Sequence, residues 1–389
     1  MPDAPSPDAD LELSPLKEPE IELGHPKPGI ALSLSGGGYR AMLFHVGSLW
    51  RLNELGLLPK LACIASVSGG SITAGVLGLH WNQLDFDPNG VARRFEDLVV
   101  APLRKFAAQT IDVGSVLGGL INPFSSIADK VANAYREHLF GHKTLQDLPE
   151  QPLFFINATN VQSAARWCFS KQTMGDYRVG YADNPDVELA VAVGASSAFP
   201  PFLSPVTADL HKYTFKKGPF SDLCEPPYTT KVILSDGGVY DNLGLEATFK
   251  EYQTLLVSDA GAKTAPEPDP KMDWGRHVYR VLDLEDNQVR SLRKRILIYC
   301  FRKGWRTGAF WGIRTNILDY KLPSAMNKEC PQTLTMLLAE QPTRLKQMVA
   351  DVQEKLINWG YAATDAGLRT HYLKGNLSVP AFPYPERGV

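Results

Sequence analysis

Cysteine is scarce in this sequence, and what there is lies scattered. The five residues, Cys63, Cys168, Cys224, Cys300 and Cys330, are odd in number, far apart and form no CxxC pair. That pattern argues against a disulfide framework or a zinc site, and a reducing compartment is the simpler setting. An excess of one charge is also lacking. Lys and Arg total 40 against 42 for Asp and Glu, a net charge of −2, so nucleic acid is not an expected partner. Long apolar runs are missing as well. None approaches the ~18 residues of a membrane-crossing helix. The acidic, proline-rich start of the chain lacks the apolar core of a secretory signal. The expected location is cytoplasmic, with a membrane reachable only at its surface. Global disorder is excluded, because hydrophobic residues make up 44% and charged residues 21%, an ordinary globular mixture.

What is present is an α/β pattern. Glycine (32) and proline (29) together reach about 16% of the 389 residues, against ~12% on average, so tight loops are plentiful. Length alone suggests about 2.6 domains, and one large α/β domain with insertions fits equally. Residues 1–27 read as a flexible arm: seven acids and six prolines in the first 26 leave little to bury. Gly29–Ser35 and Leu61–Val67 suit strands buried in a sheet. Each is followed by glycines and then by helical spacing, from Tyr39 to about Leu55 and from Ser71 to about Leu79. That order implies βαβ units and a parallel sheet. Further strands are expected at 152–157, 167–170, 231–235 and 254–258, with a short helix at 187–197. Residues 90–140 look mainly helical. The apolar, glycine-rich Val113–Phe124 loop interrupts them, and it could pack into the core or move as a lid. The apolar positions Val278, Val281, Leu282, Val289, Leu292, Ile296 and Tyr299 predict a long helix over about 274–302. Another is expected over about 344–359. The expected division is the arm, a core at 28–262 with a helical insertion at about 90–145, and a helical region at 263–389 packed on that core.

Three short segments could carry chemistry, each at the end of an expected strand, where ligands bind in open α/β sheets. The first is Ser35-Gly36-Gly37-Gly38-Tyr39-Arg40. Glycines at a helix N-terminus leave N–H groups free to hold a phosphate or an oxyanion. Gly36-x-Gly38-x-x-Ala41 also fits a dinucleotide fingerprint, but the next strand ends in Ser66-Val67-Ser68 without the acid that fingerprint wants. A tight turn with no ligand is the plainer alternative. The second is Ser66-Val67-Ser68-Gly69-Gly70. A nucleophile elbow needs a serine with small neighbours at a strained strand-to-helix turn. Here Ser68 is central and Ser66 stands where the usual pattern has glycine; capping and turn formation would also use these serines. The third is Ser235-Asp236-Gly237-Gly238-Val239-Tyr240-Asp241-Asn242, an aspartate and two glycines on a loop with little steric cover, or an ordinary Asx-turn.

The combination is more specific than its parts, and it resembles the patatin-like phospholipases, a family of lipid acyl hydrolases. The matching pieces run in the family's order over about residues 29–262: GGGYR at 36–40, SVSGG at 66–70, ASSAFPPFLSPV at 195–206 and DGG at 236–238. The resemblance implies a three-layer α/β/α sandwich with a mainly parallel central sheet. It implies Ser68 as nucleophile, Asp236 as its only catalytic partner, and Gly36, Gly37, Gly38 and Arg40 around the oxyanion. No metal or other cofactor is implied. The substrate would be membrane phospholipid, cleaved at its fatty-acid ester in the manner of a phospholipase A. The chemistry of the residues agrees. None of the eight histidines sits in a strand-end glycine motif. The nearest, His45, is most simply a satisfied histidine on the first helix. Asp236 must then be the base, and an aspartate of pKa ~3.9 needs low solvent access to work at neutral pH.

Two further segments offer binding surfaces. Phe199, Phe202 and Leu203, within Ala195–Val206, present apolar surface to an acyl chain, or simply pack. Residues 290–314 carry Arg290, Arg293, Lys294, Arg295, Arg302, Lys303, Arg306 and Arg314 with no acid. Interleaved with Trp305, Phe310 and Trp311, they suit an anionic lipid surface or a small phosphate-bearing activator. A solvated basic face is the alternative. An activator, a nucleotide for example, would make the protein a ligand-gated phospholipase effector.

Overall fold

The computed structural model describes residues 26–111, 127–201, 203–320, 330–373 and 380–389. Nearly all of the arm, the Val113–Phe124 loop and Phe202 lie outside the described residues. The strands in chain order are β1 (Lys27–Leu34), β2 (Leu61–Val67), β3 (Leu153–Asn160), β4 (Ala165–Phe169), β5 (Thr173–Asp176) and β6 (Gly180–Asp183). They continue with β7 (Val206–Asp209), β8 (Phe215–Lys216), β9 (Lys231–Asp236), β10 (Tyr252–Asp259) and β11 (Thr307–Gly312). The main helices are α1 (Gly38–Glu54), α2 (Gly69–His80), α3 (Ala101–Ala107), α4 (Ile127–Tyr135) and α5 (Leu189–Ser196). After them come α6 (Trp274–Lys303), α7 (Gln332–Ala339) and α8 (Ala350–His371).

Side chains alternate between the two sides of a strand, and here both sides are apolar. Leu32, Leu34, Ile64 and Leu256 join one core, while Ala31, Cys63, Leu255 and Val257 join another. Two apolar faces require two covers. Residues of α1, α2 and α8 fill the first core, and Leu243, Leu245 and Leu297 fill the second. The result is the expected three-layer sandwich. β11, β10, β1, β2 and β3 run parallel, in that order. Beyond β3 the sheet turns antiparallel through β4, β5, β6 and β8.

The register around β3 positions the site. β2 lies parallel to β3 as far as the Val67–Asn157 pair. β9 pairs antiparallel with the next residues of β3, Asp236 opposite Ala158 and Leu234 opposite Asn160. β4 occupies the other edge of β3. β2 and β9 therefore share one lane from opposite ends, and their carboxyl ends meet.

Several expectations change. The short strands β5 to β8, the strand β11 and the helix α7 are absent from the sequence reading. The region beyond 262 is not only helical packing, because β11 pairs with β10 and completes the sheet. The helix expected over about 344–359 begins at Ala350 and ends at His371. Main-chain groups before it bond to other elements: Arg344 O accepts from Tyr39 N–H at 3.2 Å, and Met348 N–H donates to Ala107 O at 2.8 Å. The long helix α6 matches its expected span, but the apolar positions that predicted it are exposed.

Candidate active site

Ser68 joins β2 to α2 with φ 51° and ψ −119°. This is a sparsely populated conformation for a residue with a Cβ, and it thrusts the side chain out of the turn. Its neighbours must be glycine. A Cβ on Gly69 would lie 2.2 Å from Gly38 O, and one on Gly70 would lie 2.5 Å from Leu34 O. Ser66, which departs from the usual elbow pattern, has a structural use. Its hydroxyl donates to Phe155 O at 3.3 Å and lies 3.0 Å from Ser71 Oγ. Ser71 Oγ is in turn 2.9 Å from Ser196 Oγ. Ser196 Oγ accepts from Ser68 N–H at 2.9 Å and donates to Asn157 O at 2.6 Å. A chain of buried hydroxyls thus braces the turn.

Asp236 ends β9 and is buried. Its main chain is pinned by Asp236 N–H to Ala198 O at 2.9 Å and by Thr159 Oγ1 donating to Asp236 O at 2.8 Å. Oδ1 accepts from Gly238 N–H at 2.7 Å. Oδ2 is buried and has no hydrogen-bond partner among the described residues. Burial pushes the carboxyl up to about 7, against the Gly238 N–H and the nearby Ser68 hydroxyl, which favour the charged form. Ser68 is near enough to act on the carboxylate, although no bond of ordinary geometry reaches Oδ2.

The glycine loop closes the third side. Gly36 N–H donates to Asn242 O at 3.1 Å, and a Cβ on Gly36 would lie 3.1 Å from Ser68 Cβ. Gly37 and Gly38 have φ 142° and 59°. Their N–H groups meet no protein acceptor among the described residues. Two free N–H groups at the start of α1, beside Ser68, can receive developing negative charge.

Arg40 is placed differently from the expectation. Its Nη1 donates to Ala339 O at 3.1 Å and Gln341 O at 2.8 Å, and its Nη2 donates to Ala260 O at 2.9 Å. These bonds tie the glycine loop to the segments behind it, so Arg40 positions the loop. His45 is fully buried. Its Nε2 lies 2.9 Å from Ser35 O and its Nδ1 2.9 Å from Ser258 Oγ, and burial lowers its pKa to about 4. A carbonyl only accepts, so Nε2 carries the proton and the ring is neutral. Both nitrogens are engaged, and His45 is the satisfied helix-face histidine.

Phe199 is half exposed beside this region, as is Val239 after the Asp236 turn, whereas Leu203 packs against the main core. The basic segment does not form one patch. Arg293 pairs with Glu246 at 3.1 Å and Lys294 with Asp259 at 3.0 Å. Arg290 and Arg306 are buried, and only Arg295, Arg302 and Lys303 of this segment stand free in solvent. Sequence reasoning missed Ser196, Asn157, Thr159 and Asn242. Ser196 and Asn242 lie inside segments already singled out, at 195–206 and 235–242, so proximity to those motifs was the available signal. Asn157 and Thr159 gave none.

A serine on a positive-φ strand-to-helix turn, at the carboxyl ends of the strands of a sandwiched sheet, has the geometry of a nucleophile elbow. The family "Patatin-like phospholipase" matches residues 32–249. That is more than half of the chain, and the chain belongs to this family of lipid acyl hydrolases. Among solved structures, the human GIVD cytosolic phospholipase A2 in complex with methyl gamma-linolenyl fluorophosphonate is similar, with a TM-score of 0.50 and 15% identity. The match covers 92% of this chain and 60% of that one. A further structure of the same human protein gives a TM-score of 0.40 at 14% identity, over 68% of this chain and 52% of that one. VipD from Legionella pneumophila gives 0.31 at 17%, over 80% and 66%. The chain thus spans about half to two thirds of the length of these proteins. At 15% identity the first of these likenesses is one of fold. No curated protein matches the chain.

Proposed function

We propose that the protein is a phospholipase of the A type, which cleaves ester-linked fatty acids from membrane phospholipid through Ser68 and Asp236. The observation that carries this reading is Asp236 Oδ2, buried without a partner among the described residues beside the strained Ser68 turn. A serine hydroxyl is a poor nucleophile until a base takes its proton, and a carboxyl near 7 is matched to that task at neutral pH. In the first half-reaction Ser68 Oγ bonds to the ester carbonyl carbon and its proton passes to Asp236. The carbonyl oxygen becomes an oxyanion against the N–H groups of Gly37 and Gly38. The carbon–alkoxy bond then breaks, and Asp236 returns the proton to the leaving lysophospholipid. In the second half-reaction water attacks the acyl-Ser68 ester and gives its proton to Asp236. The fatty acid leaves as Ser68 recovers a proton. The substrate would meet the protein at a membrane surface, beside the exposed Phe199 and Val239.

The test is a lipidomic one. Purified protein incubated with a mixed phospholipid extract should release free fatty acids and lysophospholipids. A fluorophosphonate probe should attach to Ser68 in the wild type and fail to attach in Ser68→Ala. Headgroup release without fatty acids would overturn the reading, as would a probe that labels another residue.

A further inference from the structure

A helix on the surface of a soluble domain normally turns its apolar stripe inward. α6 does the reverse over most of its 30 residues. Val278, Leu282, Val289, Leu292, Ile296 and Tyr299 recur at spacings of three, four and seven, on one face, and all are exposed; Leu292 and Ile296 reach 45% and 53%. Glu285 interrupts this stripe. Twenty-one residues separate Val278 from Tyr299, so the stripe is ~32 Å long at 1.5 Å per residue. The inner face is mostly polar. Arg280 donates to Ala265 O at 2.8 Å, Arg290 pairs with Asp286 at 2.7 Å, and Arg293 and Lys294 make the ion pairs described above. Beneath it lies a cavity of about 340 Å³ whose lining includes Asp259, Lys263, Asn287, Arg290, Lys294 and Arg314. Only towards its end, at Leu297, Cys300 and Phe301, does α6 bury apolar groups in the sheet.

We infer that the outer face of α6 docks on an anionic phospholipid surface and so brings the neighbouring Ser68 and Asp236 region to that surface. This rests on the phospholipase reading for its purpose, but the docking stands on the helix itself. An exposed apolar stripe of this length marks an interaction site, and charge selects the occupant. Arg295 and Arg302 stand exposed beside the stripe with no ion pair among the described residues, and Lys303 is stacked over Tyr299 at 5.6 Å. Trp274 is 83% exposed at the other end. Cations and tryptophan flanking an apolar face are the composition of a helix lying in a lipid interface. The helix also packs beside the turn that follows Asp236. Arg293 lies 3.7 Å from Asp241 and 5.8 Å over the Tyr240 ring, next to exposed Val239 on the turn that follows Asp236.

The experiment uses the full chain and two sets of vesicles, phosphatidylcholine alone and phosphatidylcholine with phosphatidylglycerol. Leu292→Ser/Ile296→Ser should weaken partition to both by at least tenfold, because less apolar area leaves water. Arg295→Gln/Arg302→Gln should weaken partition to the phosphatidylglycerol vesicles by about tenfold or more and leave the neutral ones unaffected. Both variants replace exposed side chains, so melting temperature and hydrolysis of a short soluble ester should stay at wild-type values. Unchanged partition in Leu292→Ser/Ile296→Ser would overturn the proposal. So would a wild-type dimer in sedimentation that this variant dissolves while vesicle partition persists, which would assign the stripe to a second copy. Absence of soluble-ester hydrolysis in the wild type would instead defeat the phospholipase reading, and the partition data would still decide the docking.

Discussion

Replacing Asp236 by asparagine should abolish activity and, at the same time, stabilise the fold at alkaline pH. Aspartate and asparagine are nearly isosteric, and Oδ1 of either accepts the Gly238 N–H. A carboxyl raised from 3.8 to about 7 makes the charged, folded form less stable by ~4 kcal/mol, at 1.36 kcal/mol per pH unit. The sign follows from proton binding. Between the unfolded and folded values the folded state holds the proton more tightly, so stability falls as pH rises from about 4 to about 7 and then levels off. The asparagine side chain does not titrate. Its buried amide costs ~1–3 kcal/mol if its N–H groups find no acceptor, which leaves a net gain of ~1–3 kcal/mol at pH 8 and a net loss of ~1–3 kcal/mol at pH 4. Thermal melts of both proteins across this range should show a gap of a few degrees opening in favour of the variant. Its kcat/KM should fall by ~10²–10⁴, the usual worth of a positioned base. In the wild type, kcat/KM should drop about tenfold per pH unit below an acid limb near 7. A variant that melts lower than wild type at pH 8, or that keeps its activity, would refute the reasoning. The stability measurement also separates loss of a base from loss of fold.

Ser196→Ala removes the acceptor of the Ser68 N–H; melting should report a loss of ~1–3 kcal/mol, and steady-state kinetics a lower turnover with KM little changed. Gly37→Ala places a Cβ 2.9 Å from Ala260 O at φ 142°. It should cost ~2.7–4 kcal/mol of transition-state stabilisation, read in kcat more than in KM; a rise in KM alone would contradict the oxyanion role. Lys294→Ala leaves buried Asp259 without its cation and should destabilise by ~1–3 kcal/mol in chemical unfolding. Arg295→Ala, on the exposed side of the same helix, should stay within ~0.5 kcal/mol of wild type.

Much of this protein was legible before any tertiary structure. The apolar runs that became β1, β2, β9 and β10 carry local information, because strands buried on both faces need apolar residues throughout. The glycines after β1 and β2 announced sharp strand-to-helix turns, since other residues do not fit there. The lack of a histidine in those turns already pointed to Asp236. The helical period of α6 was equally plain. A period, however, tells that a face exists and not which way it turns. In α6 the usual rule failed, because polar groups at 280–294 answer Glu246, Asp259 and the 262–267 segment on the inside. The nearness of Ser68 and Asp236 likewise arises only in three dimensions. It depends on β2 and β9 running into one lane along β3 from opposite ends, a contact between segments some 170 residues apart. The same holds for the rise of the Asp236 pKa and for the hydroxyl chain through Ser66, Ser71 and Ser196. Burial and hydrogen-bond geometry are properties of the neighbours that folding brings in from elsewhere in the chain, and no local pattern encodes them.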